Sequence, residues 1–458
     1  MALFANVITV SHPNVMNVSA SGVLDVRAIN EALVGDDPDF PRLLPHLAEL
    51  QRRSYGFEFE LGLDVLPREP GVLLVRGARQ YGKSTWLEQW IARTVREHGP
   101  GTAVYLNGDV IANAARLVTD VREVVSLFSP TAPVRRLFVD EITSIAHWER
   151  ALKQLLDAGQ LRDVLVVTTG SKATDLRRGS ERLPGRKGRL DRTNYLFTPI
   201  SYREFLRVCG EHLGETPWML YLLSGGSPMA LNELATYGKL GEFVVEATSD
   251  WIYGEIAASG RGRASLVAVM QQLVRLGGAP IGQAKLAREA GLANNTVSAG
   301  FIEMLADLTC IGWCRAWDPN RRITVHRKPA KFPFINLLVA VAWSPVRLRS
   351  AADFVRLPAD RRGCWLEWLV AQELWRRKAI AGDPMPEELA YWRSDDHELD
   401  YVRAPDDFLE VKQGRTGPMD FTWFPRRFPR ARLTVLTTTP FEHDWVRGIT
   451  IDEFLREA

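Results

Sequence analysis

The chain has 458 residues, 46% hydrophobic and 24% charged, with a formal net charge of +2; this is room for about three ordinary globular domains. No apolar run approaches the ~20 residues of a membrane span, and the first residues lack the basic-then-apolar order of a leader, so a cytoplasmic protein with no membrane partner is expected. Four cysteines (Cys209, Cys310, Cys314, Cys364) over this length exclude a disulfide framework, and Cys310 and Cys314 have no second Cys/His pair nearby to complete a zinc site.

Residues 1–60 read as an N-terminal extension: NVITVSHPNVMNVSASGVLDV alternates enough for one or two strands, and 41–54 reads as a helix leading into the next domain. A nucleotide-binding core follows over 61–212. Its centre is GVLLVRGARQYGKST (71–85), an apolar run ending in a glycine-bounded loop that fits G-x-x-x-x-G-K-[ST] without mismatch. Gly77 and Gly82 let backbone N–H groups of Ala78, Arg79, Gln80 and Tyr81 approach phosphate oxygens at a helix N-terminus. Lys83 is placed to reach the β- and γ-phosphates of ATP, the Ser84 hydroxyl to ligate Mg²⁺, and Thr85 to follow on the same turn.

Strands are predicted at 102–108, 135–141, 164–171 and 194–199, with helices at 147–160 and 201–210, an alternation that specifies a doubly wound parallel sheet. RRLFVDE ends in Asp140-Glu141. Asp140 suits Mg²⁺, and Glu141 suits polarising the attacking water, which favours a hydrolase over a small-molecule kinase. Thr168, Thr169 and Ser171 end the next strand on the same sheet edge; Thr169 is the candidate γ-phosphate sensor, against the plainer reading of strand-end hydroxyls. The stretch 176–192 carries seven cations, Arg177, Arg178, Arg182, Arg186, Lys187, Arg189 and Arg192. Three readings fit it: a solvated loop, an arginine finger through Arg186 or Arg189 in cis or across a homo-oligomer interface, or contact with nucleic-acid phosphates.

From 213 to 260 the pattern is helical, punctuated by Gly225-Gly226-Ser227-Pro228, and predicts a lid over the nucleotide. Residues 261–335 read as a winged helix: a helix, a helix-turn-helix turning at Ala290-Gly291-Leu292, and a hairpin turning at Asp318-Pro319-Asn320. Its wing offers Arg321, Arg322, Arg327, Lys328 and Lys331 to DNA phosphates, while its second helix brings Asn294, Asn295, Ser298 and Glu303 and no arginine for guanine edges; inert packing is the rival reading.

Residues 345–458 hold a second constellation. Asp400 precedes Glu410 by ten residues, and Glu410-Val411-Lys412 is an E-x-K on an apolar strand whose period-2 alternation puts both charged groups on one face. Asp400 and Glu410, with Glu367 from an upstream helix, would share Mg²⁺ or Mn²⁺, and Lys412 would align or activate water. Of the chain's ten lysines among 57 cations, Lys83 and Lys412 stand where a compact ammonium is wanted.

These stretches together (GARQYGKST, LFVDEITSIAHWERALKQLLDAG, VVTTGSKATDL, LPGRKGRL, FTPISYREFL, SGGSPMAL, LEWLVAQEL, HELDYV and FLEVKQG, over about 70–415) resemble bacterial and archaeal ATPases that join an AAA-type P-loop module to a C-terminal PD-(D/E)xK nuclease-like domain of uncharacterised function. The resemblance implies ATP binding and hydrolysis by the first module and no settled biological role. Tyr81 and Trp86 are bulkier than is usual in that family, and the first 60 residues look like an addition. Two functions follow as expectations: an ATPase acting on nucleic acid, DNA being the expected kind, with a coupled metal-dependent nuclease; or a nucleotide-driven switch whose last domains bind DNA or a protein partner without cutting.

Overall fold

The computed structural model describes residues 25–171 and 188–457; the strands expected near the N-terminus, and Arg177, Arg178, Arg182, Arg186 and Lys187 of the basic stretch, lie outside them. The first helix, α1 (Val26–Val34), is capped by Asp25. It carries Asn30, whose amide accepts from the Tyr105 N–H at 2.7 Å and donates to the Tyr105 carbonyl at 2.8 Å. This satisfies the free edge of a strand, which would otherwise be open to pairing. The helix expected over 41–54 is a 3₁₀ turn (Phe40–Leu43) and a short α2 (Pro45–Leu50), because Pro45 lacks the N–H that a continuous helix needs.

Strands β1 (Gly71–Arg76), β2 (Ala103–Asn107), β3 (Arg136–Asp140), β4 (Leu165–Gly170) and β5 (Asn194–Leu196) form a sheet of order β2-β3-β4-β1-β5, every neighbouring pair parallel. Parallel strands covered on both faces are apolar throughout. Val72, Leu74, Val104, Leu137 and Val139 face one core, under α4 (Ala114–Val125) and α5 (Trp148–Asp157); Leu73, Val75, Tyr105, Phe138 and Val167 face the other, which holds α3 (Lys83–His98).

After α6 (Tyr202–Cys209) comes the helical segment α7 (Pro217–Ser224), α8 (Pro228–Tyr237) and α9 (Glu242–Ala258). Gly225 and Gly226 between the first two have φ of +57° and +70°. A Cβ at Gly225 would lie 2.5 Å from the Leu338 backbone nitrogen, so glycine is required by close approach as well as by conformation. Next are α10 (Arg263–Leu276), α11 (Gln283–Glu289) and α12 (Asn295–Asp307), then the hairpin β6 (Trp313–Asp318) and β7 (Ile323–Val325).

The hairpin expected as a wing has a further strand partner. β6 pairs in parallel with β8 (Glu388–Arg393), so the hairpin is built into a sheet with the C-terminal part of the chain. Lys331, assigned to phosphate contact, is only 4% exposed and points into the protein. Arg322 is engaged by Asp406 at 2.6 Å. In the second helix Ser298 is fully buried and donates to the Gln283 carbonyl, so it serves helix packing and not a base edge. Arg321, Arg327 and Lys328 remain exposed.

The rest comprises α13 (Leu337–Trp343), α14 (Ala351–Val355), α15 (Ala359–Ile380), strands β9 (Glu398–Leu399), β10 (Tyr401–Ala404) and β11 (Asp407–Val411), α16 (Phe424–Arg427), strands β12 (Arg432–Leu436), β13 (Phe441–His443) and β14 (Val446–Ile449), and α17 (Ile451–Arg456). They build a mixed sheet of order β10-β11-β12-β14-β13 beside a second of order β7-β6-β8-β9. The chain passes from one sheet to the other at Asp400, between β9 and β10.

α15 runs through the middle of this region, burying Trp365, Trp368 and Trp375. It also buries an ion pair: Arg376 meets Glu373 at 2.9 Å and reaches Glu60, ahead of β1, at 2.9 Å. Arg192, from the basic stretch, donates to the Ala379 and Ile380 carbonyls at 2.7 and 2.9 Å, satisfying the end of α15 in place of any phosphate. Breaking a buried pair from one side leaves the other charge uncompensated. Glu373→Ala should therefore lower unfolding stability by about 3–5 kcal/mol, read from the urea midpoint followed by tryptophan fluorescence, with a smaller loss for Glu373→Gln. Equal, negligible losses in both variants would show that the pair is not holding α15 in place.

Candidate functional site

β1 delivers the chain to the loop 77–82, and α3 starts at Lys83. Gly82 has φ +101°, and a Cβ there would strike the Phe59 ring at 2.5 Å; one at Gly77 would lie 2.7 Å from the Phe197 Cβ. Both positions are closed to other residues by packing. Gln80 also takes a positive φ, +62°. The loop thus curls over the N-terminus of a 16-residue helix, the arrangement that presents amide N–H groups to an anion.

Lys83 is 4% exposed and donates to the Gly77 and Ala78 carbonyls at 3.2 and 2.9 Å. Burial lowers its pKa, partly offset by Glu141, 3.9 Å away, and by Asp140. Ser84 and Thr85 are half-buried on the first turn.

Asp140 and Glu141 follow at the end of β3. Asp140 is buried and accepts a hydrogen bond from the Thr169 hydroxyl. The Glu141 N–H donates to Asp140 at 3.2 Å and to Thr169 Oγ1 at 3.1 Å. Glu141 itself sits in the left-handed region (φ +45°), and its carboxylate accepts from the Ser171 N–H and hydroxyl, each at 3.0 Å. Gly108 explains how this turn fits, since a Cβ there would lie 2.3 Å from the Glu141 carbonyl oxygen. Thr168 faces elsewhere, donating to the Leu73 carbonyl. The Ser84 hydroxyl and Asp140 carboxylate are hard oxygen donors of the kind Mg²⁺ takes alongside phosphate, so the residues present fit that ion.

Two contacts leave this site for distant parts of the chain. Arg79 reaches the Ser171 hydroxyl at 3.3 Å and Glu255, on α9, at 3.6 Å. The Tyr81 hydroxyl, buried, lies 2.8 Å from the Asn336 side-chain oxygen and 3.3 Å from the Gly225 carbonyl. Asn336 is the N-cap of α13. The unusual bulk of Tyr81 thus joins the phosphate loop to the C-terminal half, while Trp86 packs edge-on against Phe197. Neither Glu255 nor Asn336 carries a sequence signal of its own. Arg189 is exposed on the described part of the basic stretch.

The second constellation is brought together as well. The Glu410 carboxylate accepts from the Asp400 N–H at 3.2 Å, Asp400 accepts from the Val411 N–H at 2.9 Å, and Lys412 Nζ lies 2.5 Å from Glu410 Oε1. Glu367 approaches from α15. The unforeseen member is Lys331, whose Nζ lies 2.6 Å from Glu398, 3.1 Å from Asp400 and 3.7 Å from Glu367. Burial raises the Glu367 and Glu410 pKa values, and neighbouring Asp400 raises them further. For Lys331 burial acts downward, but Asp400, Glu367 and Glu398 together hold its pKa well above the ordinary lysine value. Among the described residues, no group of three or more His, Cys, Asp or Glu side chains is arranged to hold a metal ion. With the oxygens of Asp400 and Glu410 taken by protein donors and the Lys331 ammonium among Asp400, Glu398 and Glu367, the cluster as arranged does not fit the Mg²⁺ or Mn²⁺ expected there. The one signal in the sequence was a lone lysine in the otherwise apolar AKFPFI.

A family model described as an AAA domain matches residues 69–206. An uncharacterized protein of Methanocaldococcus jannaschii is 22% identical over 190 residues, 41% of this chain and 40% of the relative; the chain thus spans about two fifths of the curated relative it matches. Among solved structures, the chain is similar to a Walker-type ATPase of Pyrococcus abyssi (13% identity, TM-score 0.40, covering 71% of this chain and 97% of the other). It is also similar to a RuvB variant of Thermotoga maritima (16%, 0.29, 56% and 85%) and to Cdc6p of Pyrobaculum aerophilum (11%, 0.25, 67% and 93%). No helix among the described residues is long and apolar enough to cross a membrane. With its all-parallel sheet and phosphate loop, the segment 69–206 is an AAA-type, ATP-binding P-loop domain.

Proposed function

We propose that the protein is an ATP-hydrolysing switch that passes its nucleotide state to a nuclease-like C-terminal module acting on nucleic acid or a protein partner without cutting it. The observation that carries this reading is the contact between Tyr81, inside the phosphate loop, and Asn336, the N-cap of α13, 2.8 Å apart and both buried. A γ-phosphate that repositions the loop changes a hydrogen bond at the start of a helix packed against α9 and α15. Arg79 adds a second route: its guanidinium, now beside Glu255, is within the loop that receives phosphate, and the two anions compete for it.

In this reading Lys83 binds the β- and γ-phosphates, Ser84 and Asp140 hold Mg²⁺, Thr169 senses the γ-phosphate, and Glu141, steadied by Ser171, polarises water. Arg186 and Arg189 are the candidate fingers, in cis or from a neighbouring copy in a homo-oligomer. The exposed Arg321, Arg327 and Lys328 supply phosphate contacts to nucleic acid.

Cleavage is the second reading, favoured by the convergence of Asp400, Glu410 and Lys412. It requires a metal site that the cluster, as arranged, does not offer.

Three outcomes are expected. Lys83→Ala should abolish ATP binding, and Glu141→Gln should keep binding while lowering hydrolysis by at least about 100-fold, both read by nucleotide affinity and phosphate release. The wild type should show a nucleotide-dependent change in hydrogen-exchange protection of residues 337–343, and Tyr81→Phe should bind and hydrolyse ATP but lose it; absence of the change in the wild type, or its retention in the variant, would sink the proposed route. Incubated with plasmid, ATP and Mn²⁺, wild type and Asp400→Ala/Lys412→Ala should leave the DNA equally intact, whereas cutting by wild type alone would install the second reading.

A further inference from the structure

In the C-terminal cluster every oxygen of Asp400 and Glu410 has a protein partner. Asp400 takes Lys331 on one oxygen and the Val411 N–H on the other; Glu410 takes the Asp400 N–H on one and Lys412 on the other. Glu367 and Glu398 complete the ring around the Lys331 ammonium. This differs from an acidic pocket awaiting a cation, because a cation with three hydrogens to donate is already at its centre.

We infer that Lys331 is a built-in replacement for the divalent ion, its ammonium filling the position among Asp400, Glu398 and Glu367 and excluding metal from the cluster. Lys331 is not on a swinging arm. Its N–H donates to the Cys314 carbonyl at 2.8 Å and its carbonyl accepts from the Cys314 N–H at 2.9 Å, which zips it along β6. One residue earlier, Ala330 exchanges the same pair of bonds with Ile281, at 2.9 and 3.3 Å. The Tyr391 ring lies 5.5 Å from the ammonium on the remaining side. With the backbone held on consecutive residues and the ammonium held by three carboxylates, the side chain is confined among them. The chemistry also matches: an ammonium satisfies carboxylates by hydrogen bonding without the six or more oxygen ligands a hard divalent ion demands. Removing it leaves the buried Asp400 and the half-buried Glu367 and Glu398 without their shared cation, a set that then recruits another.

The inference is independent of the ATPase reading, and its test uses the full chain without nucleotide. Mn²⁺ binding is measured by electron paramagnetic resonance for wild type, Lys331→Met, and Lys331→Met/Asp400→Asn, with circular dichroism as the check on folding. Wild type should show no Mn²⁺ at the cluster, Lys331→Met should gain one bound ion per chain, and Asp400→Asn on that background should remove it. A folded Lys331→Met that gains nothing overturns the proposal. Wild-type crystals soaked in Mn²⁺ provide a second measurement that survives a misfolded variant: anomalous density among Asp400, Glu410 and Glu367 overturns the inference, and its absence, with density at no carboxylate of the ring, upholds it.

Discussion

A single apolar core runs from Ile29, beneath the nucleotide-binding sheet, through the helical segment and α15 to Leu455 near the end of the chain. Everything else in the molecule depends on that continuity. An interior packed at crystal-like density does not absorb displacement quietly; a shift at one point forces neighbours into other arrangements. The described domains therefore do not behave as beads on a string. The buried Arg376, joined to both Glu373 and Glu60, adds a charged fastening across the same boundary, and Arg192 adds a hydrogen-bonded one.

Within that frame the two lysines of chemical interest play opposite parts. Lys83 is buried with two carbonyls as its hydrogen-bond acceptors, and burial weakens its hold on its proton despite the nearby carboxylates. A triphosphate brings the negative charge that such a group is short of, which makes the loop receptive. Lys331 is buried among a surplus of carboxylates and is satisfied by them. The first cation is placed for an incoming anion; the second completes an internal ring. Two sites that look alike as motifs, a lysine near paired acids, thus differ in charge balance, and charge balance decides what each can accept.

How much of this could be read beforehand follows from sequence distance. The phosphate loop occupies 77–85, and Asp140-Glu141 stand at a strand end, so local pattern sufficed to place them. Asp400, Glu410 and Lys412 fall within 13 positions of one another, and strand periodicity alone aligned the last two. The contacts that were not legible span the chain: Tyr81 meets Asn336 across 255 positions and Lys331 meets Asp400 across 69. No propensity or spacing rule reports on such pairs. The hairpin's sheet partner was illegible for a related reason: a basic strand pair after a helix-turn-helix has the composition of a wing, but β8, which pairs with its first strand, lies 75 residues downstream.

The ring of Phe59 against Gly82 has a consequence for where the ATP-binding unit begins. Phe57 and Leu61 are buried beside it in the same core, and the Glu60 carbonyl accepts from the Thr198 hydroxyl at 2.6 Å. The stretch preceding β1 is accordingly a wall of the cradle and not a leash. An excised catalytic fragment started at residue 61 would lack that wall, and the glycine that nucleotide chemistry asks for would face open solvent on the side where an aromatic plate now confines it.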